Sequence, residues 1–218
     1  ESAITNCHVQ GAVSGNTSVG GLVGFSEDTG SVTDCGFVGD VSGSHTVGGL
    51  IGYNRWENTV SHCFSSGSVN GYGGSIGGLI GENEAGTISS CFSTSSVTGD
   101  SPYAYVGGLV GRNFKDSYVC GSISNCYATG DVTGSGSATG GVVGYNRGKL
   151  DYCYSVGAVS GDDCVGGVIG RNSGSAKYCV ALNPSVSGLE DVHCVVGLND
   201  DGSTLAATLT NMGHSVIG

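Results

Sequence analysis

Seven cysteines recur at a nearly constant spacing, and their thiols are the side chains that could most readily do chemistry. The steps between them are 28, 28, 28, 35, 27 and 26 residues. The seven are Cys7, Cys35, Cys63, Cys91, Cys126, Cys153 and Cys179. Zinc sites use pairs such as Cys-x-x-Cys, which the sequence lacks. We interpret the seven as a buried column of small apolar side chains. Disulfides between neighbours are the alternative, although parallel stacked side chains fit the bridge geometry poorly.

Three further cysteines, Cys120, Cys164 and Cys194, lie outside this series. Cys120 falls in the insertion that lengthens one step to 35 residues. Because insertions in repeats become surface loops, we expect the Cys120 thiol to be exposed.

Six asparagines form a second series with the same period. Each follows a string of the type Gly-Gly-Leu-Val-Gly after one intervening residue. They are Asn54, Asn83, Asn113, Asn146, Asn172 and Asn199, and Ser26 takes the corresponding place in the first repeat. Asparagine bonds its own backbone at turns, and stacked amides bond one another along an axis. We interpret the series as a structural column at a turn, with a polar ligand-binding line as the alternative.

Groups for acid–base catalysis are dispersed along the chain. The five histidines fall in different repeats, and the string His-Glu-x-x-His of zinc peptidases is absent. Adjacent acids such as Asp162-Asp163, Glu190-Asp191 and Asp200-Asp201 lie at predicted turns and match no calcium-loop pattern. The sequence therefore predicts no enzyme, no metal site and no cofactor.

Two sets of aromatic and charged residues lie in predicted loops, where solenoids place binding residues. The candidates are Arg55, Trp56, Lys115 and Tyr118 on one edge of a rod, and Tyr72, Tyr103 and Tyr105 on another. Exposed tryptophan and tyrosine beside polar groups are typical of sugar-binding and protein-binding patches. The alternative is that these rings pack over the ends of the repeats and cover apolar surface.

The charge balance argues against two classes of partner. Lys and Arg total 7 against 18 Asp and Glu, for a net charge of −11. Nucleic acid binding needs clustered lysine and arginine, and anionic membranes attract basic segments. No run approaches the roughly 20 apolar residues of a membrane-spanning helix. We expect neither nucleic-acid binding nor membrane insertion of this segment.

Both series belong to one internal repeat. Its first segment is Ile123-Ser-Asn-Cys-Tyr-Ala-Thr-Gly-Asp-Val-Thr-Gly134, and its second is Val106-Gly-Gly-Leu-Val-Gly-Arg-Asn113. Short β-branched runs between Gly, Asn and Asp predict strands, and a helix would lose about 1 kcal/mol at each glycine. The chain therefore reads as about seven strand-rich repeats of 26–35 residues.

This repeat predicts an all-β fold, a right-handed parallel β-helix (β-solenoid) in which each repeat is one rung. We expect three short strands and three turns per rung, with rungs about 4.8 Å apart and a right-handed coil. A β-propeller is the alternative, but its blades need roughly 40–45 residues. Residues 1–202 are predicted to form the repeat domain, and 203–218 a partial rung or C-terminal cap.

One feature of the first segment conflicts with a straight strand. Its Ile and Cys are three residues apart, as in Ile123 and Cys126, and strict alternation would put them on opposite faces. Either the strand bends between them or one of the two series faces outward.

The paired segments resemble the GLUG repeat, and the resemblance extends from about Ile4 to Asn199. The last copy departs most, with Val195-Val196-Gly197 in place of the full Gly-Gly string. The resemblance implies a bacterial protein that is secreted or lies on the cell surface. GLUG repeats occur beside the catalytic regions of IgA-specific metallopeptidases and in large adhesin-like proteins, and are not themselves catalytic there.

Three functional hypotheses follow from these observations. The first is a surface-exposed repeat module of a bacterial adhesin-type protein, which binds a host glycan or a matrix or cell-surface protein, or acts as a rigid spacer. The second is a stalk or substrate-recognition region of a secreted peptidase or glycan-degrading enzyme. The third is a glycan-processing enzyme, which would need carboxylates that converge in one groove.

Overall fold

The chain forms a β-solenoid in a computed structural model that describes residues 2–27, 29–206, 209–210 and 216–217. All paired strands in these ranges are parallel, and each pairs with its counterpart one rung away. The described residues contain no helix, and accordingly none that could cross a membrane. The predicted all-β solenoid of about seven rungs is confirmed.

Each rung contributes to four sheets, which we call A, B, C and D in chain order. Sheet A consists of Ser2–Thr5, Gly30–Thr33, Thr59–Ser61, Thr87–Ser89, Ser122–Ser124, Lys149–Asp151, Ser175–Lys177 and Thr204–Ala206. Sheet B begins with three long strands, His8–Ser14, Gly36–Gly43 and Phe64–Gly71. Its later rungs each have two short strands: Phe92–Ser93 and Ser96–Gly99, Tyr127–Ala128 and Val132–Gly134, Tyr154–Ser155 and Val159–Gly161, Val180–Ala181 and Val186–Ser187, and Leu209–Thr210 and Val216–Ile217.

Sheets C and D arise from the second segment of each repeat. Sheet C consists of Val19–Gly20, Val47–Gly48, Ser75–Gly77, Tyr105–Gly107, Ala138–Gly140, Val165–Gly166 and Val192–His193. Sheet D consists of Val23–Ser26, Ile51–Arg55, Ile80–Glu84, Val110–Phe114, Val143–Asn146, Ile169–Asn172 and Val196–Asn199.

The expectation of three strands per rung was wrong, because the second segment forms two strands. Between Val47–Gly48 and Ile51–Arg55 the chain turns at Gly49 and Leu50. A Cβ on Gly49 would lie 2.1 Å from the carbonyl oxygen of Gly78 in the next rung. The paired glycines therefore allow a sharp bend at close backbone approach, and the string that seemed to be one strand forms a corner.

The bend that the Ile–Cys spacing required lies between sheets A and B. One residue before each column cysteine has left-handed backbone with φ between 53° and 56°. These residues are Asn6, Asp34, His62, Ser90, Asn125, Tyr152 and Tyr178. The left-handed residue turns the chain, so that both Ile123 and Cys126 point into the core, where each is 1% exposed. The strand bends, and neither series faces outward.

The cysteine column runs along the core as free thiols. All its members are buried except Cys7 in the first rung, which is half-buried. The Cys91 thiol donates a hydrogen bond to the carbonyl of Ser89 at 3.1 Å. Burial raises the pKa of the Cys153 and Cys179 thiols above their usual value. These two thiols therefore stay neutral in the core.

The asparagine column lies inside the corner between sheet D and sheet A of the next rung, which we call the D–A corner. Each side-chain amide donates to the amide oxygen one rung further along, at 2.8 or 2.9 Å. The chain of bonds runs Asn54, Asn83, Asn113, Asn146, Asn172, Asn199. The Asn83 and Asn113 amides also donate to the carbonyls of Gly86 and Gly121 in the corner loop. These bonds hold the loop against the rod.

Sheet A continues into an eighth rung through Thr204–Ala206, which pairs with Ser175–Lys177. Residues 209–210 and 216–217 likewise extend sheet B. The other residues of the predicted cap from 207 onward lie outside the described residues. The division at 202/203 stays a prediction.

Candidate functional sites at two corners

The predicted binding residues Arg55 and Trp56 lie together at the D–A corner. The Arg55 side chain pairs with Glu27 at 3.2 Å and Glu84 at 3.1 Å. Its guanidinium also lies 4.2 Å from the centroid of the Trp56 ring, within the range of a cation–π contact. Trp56 is 37% exposed. Both residues are thus engaged with their own chain, and only part of the indole remains available.

Lys115 and Tyr118 lie two rungs further along the same corner, in the long loop between Phe114 and Ser122. The Asp116 carboxylate accepts the backbone N–H of Tyr118 and Val119, both at 2.7 Å. These bonds lower the pKa of Asp116 and fix the tip of the loop. Tyr118 is 95% exposed, and Cys120 carries an exposed thiol, as expected. The loop therefore presents a free phenol ring to solvent.

The other predicted edge lies between sheet B and sheet C, and we call it the B–C corner. Tyr72 and Tyr103 project from it and are 73% and 79% exposed. Tyr105 does not join them: its ring lies 5.1 Å from that of Tyr145 in the next rung. The Arg112 guanidinium is 5.8 Å from the Tyr105 centroid. Tyr105 is therefore part of a packed cluster over sheets C and D.

A groove lies beside Tyr72 at the B–C corner, with a volume of ≈ 230 Å³. It extends across the first rungs of the rod, from Gly15 to Asp100. The groove is lined by Gly15, Ser42, Gly43, Ser44, Asn70, Gly71, Tyr72 and Asp100. Sequence reasoning missed Asn70 and Asp100. The repeat register could have found them, because Asn70 pairs with Thr98 and Asp100 is placed one rung beyond Tyr72.

A second depression, of ≈ 400 Å³, lies at the start of sheet A. It is lined by Ser2, Ala3, Thr29, Gly30, Ser31, Glu57 and Thr59. Its side chains are small hydroxyls with one carboxylate, and no aromatic ring lines it. It offers hydrogen bonds without a flat apolar surface.

All four arginines of the chain lie on or beside the outer face of sheet D. Arg112 pairs with Glu82 at 3.0 Å, and Arg171 pairs with Asp200 at 3.1 Å. Burial raises the pKa of Glu82, although the Arg112 charge opposes that rise. Three of the four arginines are thus neutralised by acids of neighbouring rungs, which limits their value for binding an anionic ligand.

Four aromatic rings form a column on the outer face of sheet B. Consecutive centroids of Phe64, Phe92, Tyr127 and Tyr154 lie 5.5, 5.1 and 4.9 Å apart, with interplanar angles of 11°, 3° and 8°. The rings stack on one another along the rod, so the faces of the inner rings are covered. This column stabilises the sheet and offers ring edges, not faces, to a ligand.

One group of possible metal ligands occurs among the described residues. The ligand atoms of Asp163, Cys164 and Asp191 lie within 4.8 Å of one another. The Cys164 thiol donates to Asp163 at 3.1 Å. Burial, together with both carboxylates, raises its pKa to about 12. The thiol therefore keeps its proton at neutral pH, and a cation bound here would have to displace that proton.

Comparisons with known proteins identify the repeat. Residues 15–42, 72–98 and 103–133 match the family model described as "The GLUG motif". These three segments are GLUG motifs, as the sequence resemblance implied. No curated protein matches the chain significantly.

One solved structure has the same fold. It is the crystal structure of a Bacteroides ovatus protein described as a "putative immunoglobulin A1 protease". The match has a TM-score of 0.61 at 21% sequence identity, and it covers 99% of this chain and 66% of that chain. The likeness shows a shared solenoid fold, and this chain spans 66% of the length of its structural neighbour.

Proposed function

We propose that this chain is a non-catalytic module on the outside of a bacterial cell, part of an adhesin-type protein, that binds a glycan or a host protein through its corner loops. One observation carries the proposal. The interior repeats the same stacked side chains in most rungs, whereas the most exposed aromatic rings, Tyr72, Tyr103 and Tyr118, project from corners. Rings exposed in this way contribute nothing to the core and are the side chains that binding surfaces use.

The non-catalytic part of the proposal rests on how the polar groups are used. Asp200 is paired with Arg171 and Ser173, and Glu84 with Arg55 and Tyr53. The Cys164 thiol stays protonated beside Asp163. An acid–base mechanism needs a poised acid and base at one substrate position, and these groups are engaged in separate structural contacts.

The extracellular location is supported by the three GLUG motifs and by the fold shared with the Bacteroides ovatus protein. That protein also supports the second candidate. In that case the chain would be a stalk or substrate-recognition region of a secreted peptidase or glycan-degrading enzyme, and immunoglobulin A1 would be the first ligand to test.

A binding screen tests the proposal. The purified chain would be applied to a glycan array, to matrix proteins and to immunoglobulin A1, with Trp56→Ala and Tyr72→Ala beside it. A hit that either substitution weakens would support a corner site. Binding to immunoglobulin A1 alone would favour the second candidate. If well-folded protein bound none of these ligands, the proposed binding function would be overturned and a rigid spacer would remain.

A further inference from the structure

We propose that the groove at the B–C corner is a sugar subsite, which takes one uncharged unit of a glycan chain against Tyr72. This inference rests on the proposed function and narrows it to one corner and one ligand class. The groove is defined by Ser42, Ser44, Asn70, Tyr72 and Asp100.

The Tyr72 ring is available to a ligand. It is 73% exposed, and it takes part in none of the aromatic or guanidinium contacts found among the described residues. Trp56, by contrast, has the Arg55 guanidinium 4.2 Å from its ring centroid. A sugar packs the apolar C–H face of its ring on an aromatic face, which must be free for that purpose. Tyr72 meets this condition better than Trp56 does.

Polar side chains line the groove together with Tyr72. Asp100 offers two acceptor oxygens, Asn70 offers both a donor and an acceptor, and Ser42 offers a hydroxyl that does either. These three residues are exposed. Sugar hydroxyls are donors and acceptors at once, so a mixed set of this kind matches them. The apolar ring with polar groups to one side is the arrangement that a sugar unit requires.

The groove is small and extends along the rod. Its ≈ 230 Å³ is below the roughly 300–1,000 Å³ of enclosed small-molecule pockets. The groove is open along the rod, and Tyr103, which is 79% exposed, lies one rung further along the same corner. An open groove with a second ring beyond it suits one unit of a longer chain that runs parallel to the rod axis.

The groove and the corner around it carry negative charge. Asp100 is the one charged group that lines the groove, and the chain carries a net charge of −11. Later rungs of the same corner add Asp162, Asp163 and Asp191. A sugar with a carboxylate or sulfate would therefore be repelled. The negative electrostatic potential at this corner therefore favours an uncharged sugar unit.

The test uses the whole chain on an array of neutral and anionic oligosaccharides, followed by calorimetric titration of any neutral hit at several chain lengths. We expect Tyr72→Ala to weaken binding at least tenfold and Asp100→Asn to weaken it several-fold. Trp56→Ala should leave the affinity unchanged, and affinity should rise with chain length. Circular dichroism and size-exclusion chromatography of each variant would show that the exposed substitutions leave the fold intact.

Four outcomes would overturn the inference. Loss of glycan binding in Trp56→Ala but not in Tyr72→Ala would move the site to the D–A corner and leave the proposed function standing. Preferential binding of anionic glycans would overturn the ligand class. Binding to matrix proteins without binding to any glycan would overturn the sugar subsite and leave the proposed function standing. No binding to any of the tested ligands would overturn both proposals.

Discussion

The D–A and B–C corners turn the same chain in every rung, yet they are built differently. The D–A corner is held from inside by the asparagine column, with amide bonds of 2.8–2.9 Å between successive rungs. Its outward residues Arg55 and Trp56 are also occupied by contacts within the chain. In the part of the chain that the structure describes, no such column lies inside the B–C corner, whose rings at Tyr72 and Tyr103 are exposed. The D–A corner thus maintains the rod and presents a free ring only in its long loop, at Tyr118, whereas Tyr72 and Tyr103 at the B–C corner project from short turns.

The difference has a physical cause. A buried polar column is stable only when every member is satisfied, so its positions tolerate few residue types. The B–C corner is held by backbone bonds between rungs, such as Tyr72 N–H to the Gly43 carbonyl, which place no demand on the side chain. Residues there can vary without loss of the coil, and variation of this kind is what a ligand-binding edge needs.

The largest expected effect comes from breaking the asparagine column at its centre. Asn113→Asp keeps the shape of the side chain but removes the amide that donates to Asn146 and Gly121. Asn113 is fully buried, so an ionised carboxylate there would face three acceptor oxygens, those of Asn146, Gly121 and Lys149, without solvent. We expect a loss of about 3–5 kcal/mol in the free energy of unfolding at pH 7, measured by denaturant titration.

Asn199→Asp is the matched control, because Asn199 is exposed and only accepts a bond in this column. Its expected loss is within about 0.5 kcal/mol. The deficit of Asn113→Asp should also depend on pH. Burial raises the pKa of the introduced carboxyl in the folded state, so the deficit should be small below about pH 4 and grow as the pH rises. Equal losses at both positions would show that the column does not hold the D–A corner.

The second effect compares one glycine at each corner. A Cβ on Gly148 at the D–A corner would lie 2.1 Å from the carbonyl oxygen of Gly121, whereas a Cβ on Gly73 at the B–C corner would meet nothing closer than 3.5 Å. Gly148→Ala should therefore destabilise the fold by about 2–3 kcal/mol, since backbone must shift. Gly73→Ala should be neutral or slightly stabilising. Thermal unfolding of the two variants checks the comparison, and a large loss at Gly73 would contradict it.

The repeat architecture could be predicted from the sequence because identical residues recur at one register. The asparagine and cysteine series mark stacked positions whether or not their role is known, and the structure places both as columns through the core. The number of strands per rung could not be predicted in the same way. A Gly-Gly pair is compatible both with a strand and with a corner. Only the packing of the next rung determines which of the two forms.

The candidate sites were harder to predict, because a sequence does not show how exposed residues use one another. Arg55 and Trp56 look available in the sequence but contact each other, and Tyr105 packs on Tyr145. Asn70 and Asp100 were missed because their significance comes from their position beside Tyr72. The register between rungs places these two residues beside Tyr72 only after the strand boundaries are known.

The third effect concerns the strand that leaves the B–C corner. Thr139 is registered between Val106 and Val165 in sheet C, and its buried hydroxyl has no hydrogen-bond partner among the described residues. Thr139→Val should therefore stabilise the fold by about 1 kcal/mol. The mirror substitution, Val106→Thr, should cost about 1–2 kcal/mol in the adjacent rung. Chemical denaturation would measure both, and destabilisation by Thr139→Val would mean that the hydroxyl is satisfied in solution.

The smallest effect extends the asparagine column by one rung. The Asn54 amide oxygen is buried and has no partner among the described residues, because the first rung carries Ser26 at the registered position. Ser26→Asn would supply an amide that donates to this oxygen, as Asn54 itself donates to Asn83. We expect a gain of about 0.5–1 kcal/mol, visible in the denaturation midpoint. Ser26→Ala, which offers no donor, is the control. If the two variants were equally stable, the added amide would not reach the Asn54 oxygen. The shape of the corner loop in the first rung, and not only the residue at position 26, would then determine where the column ends.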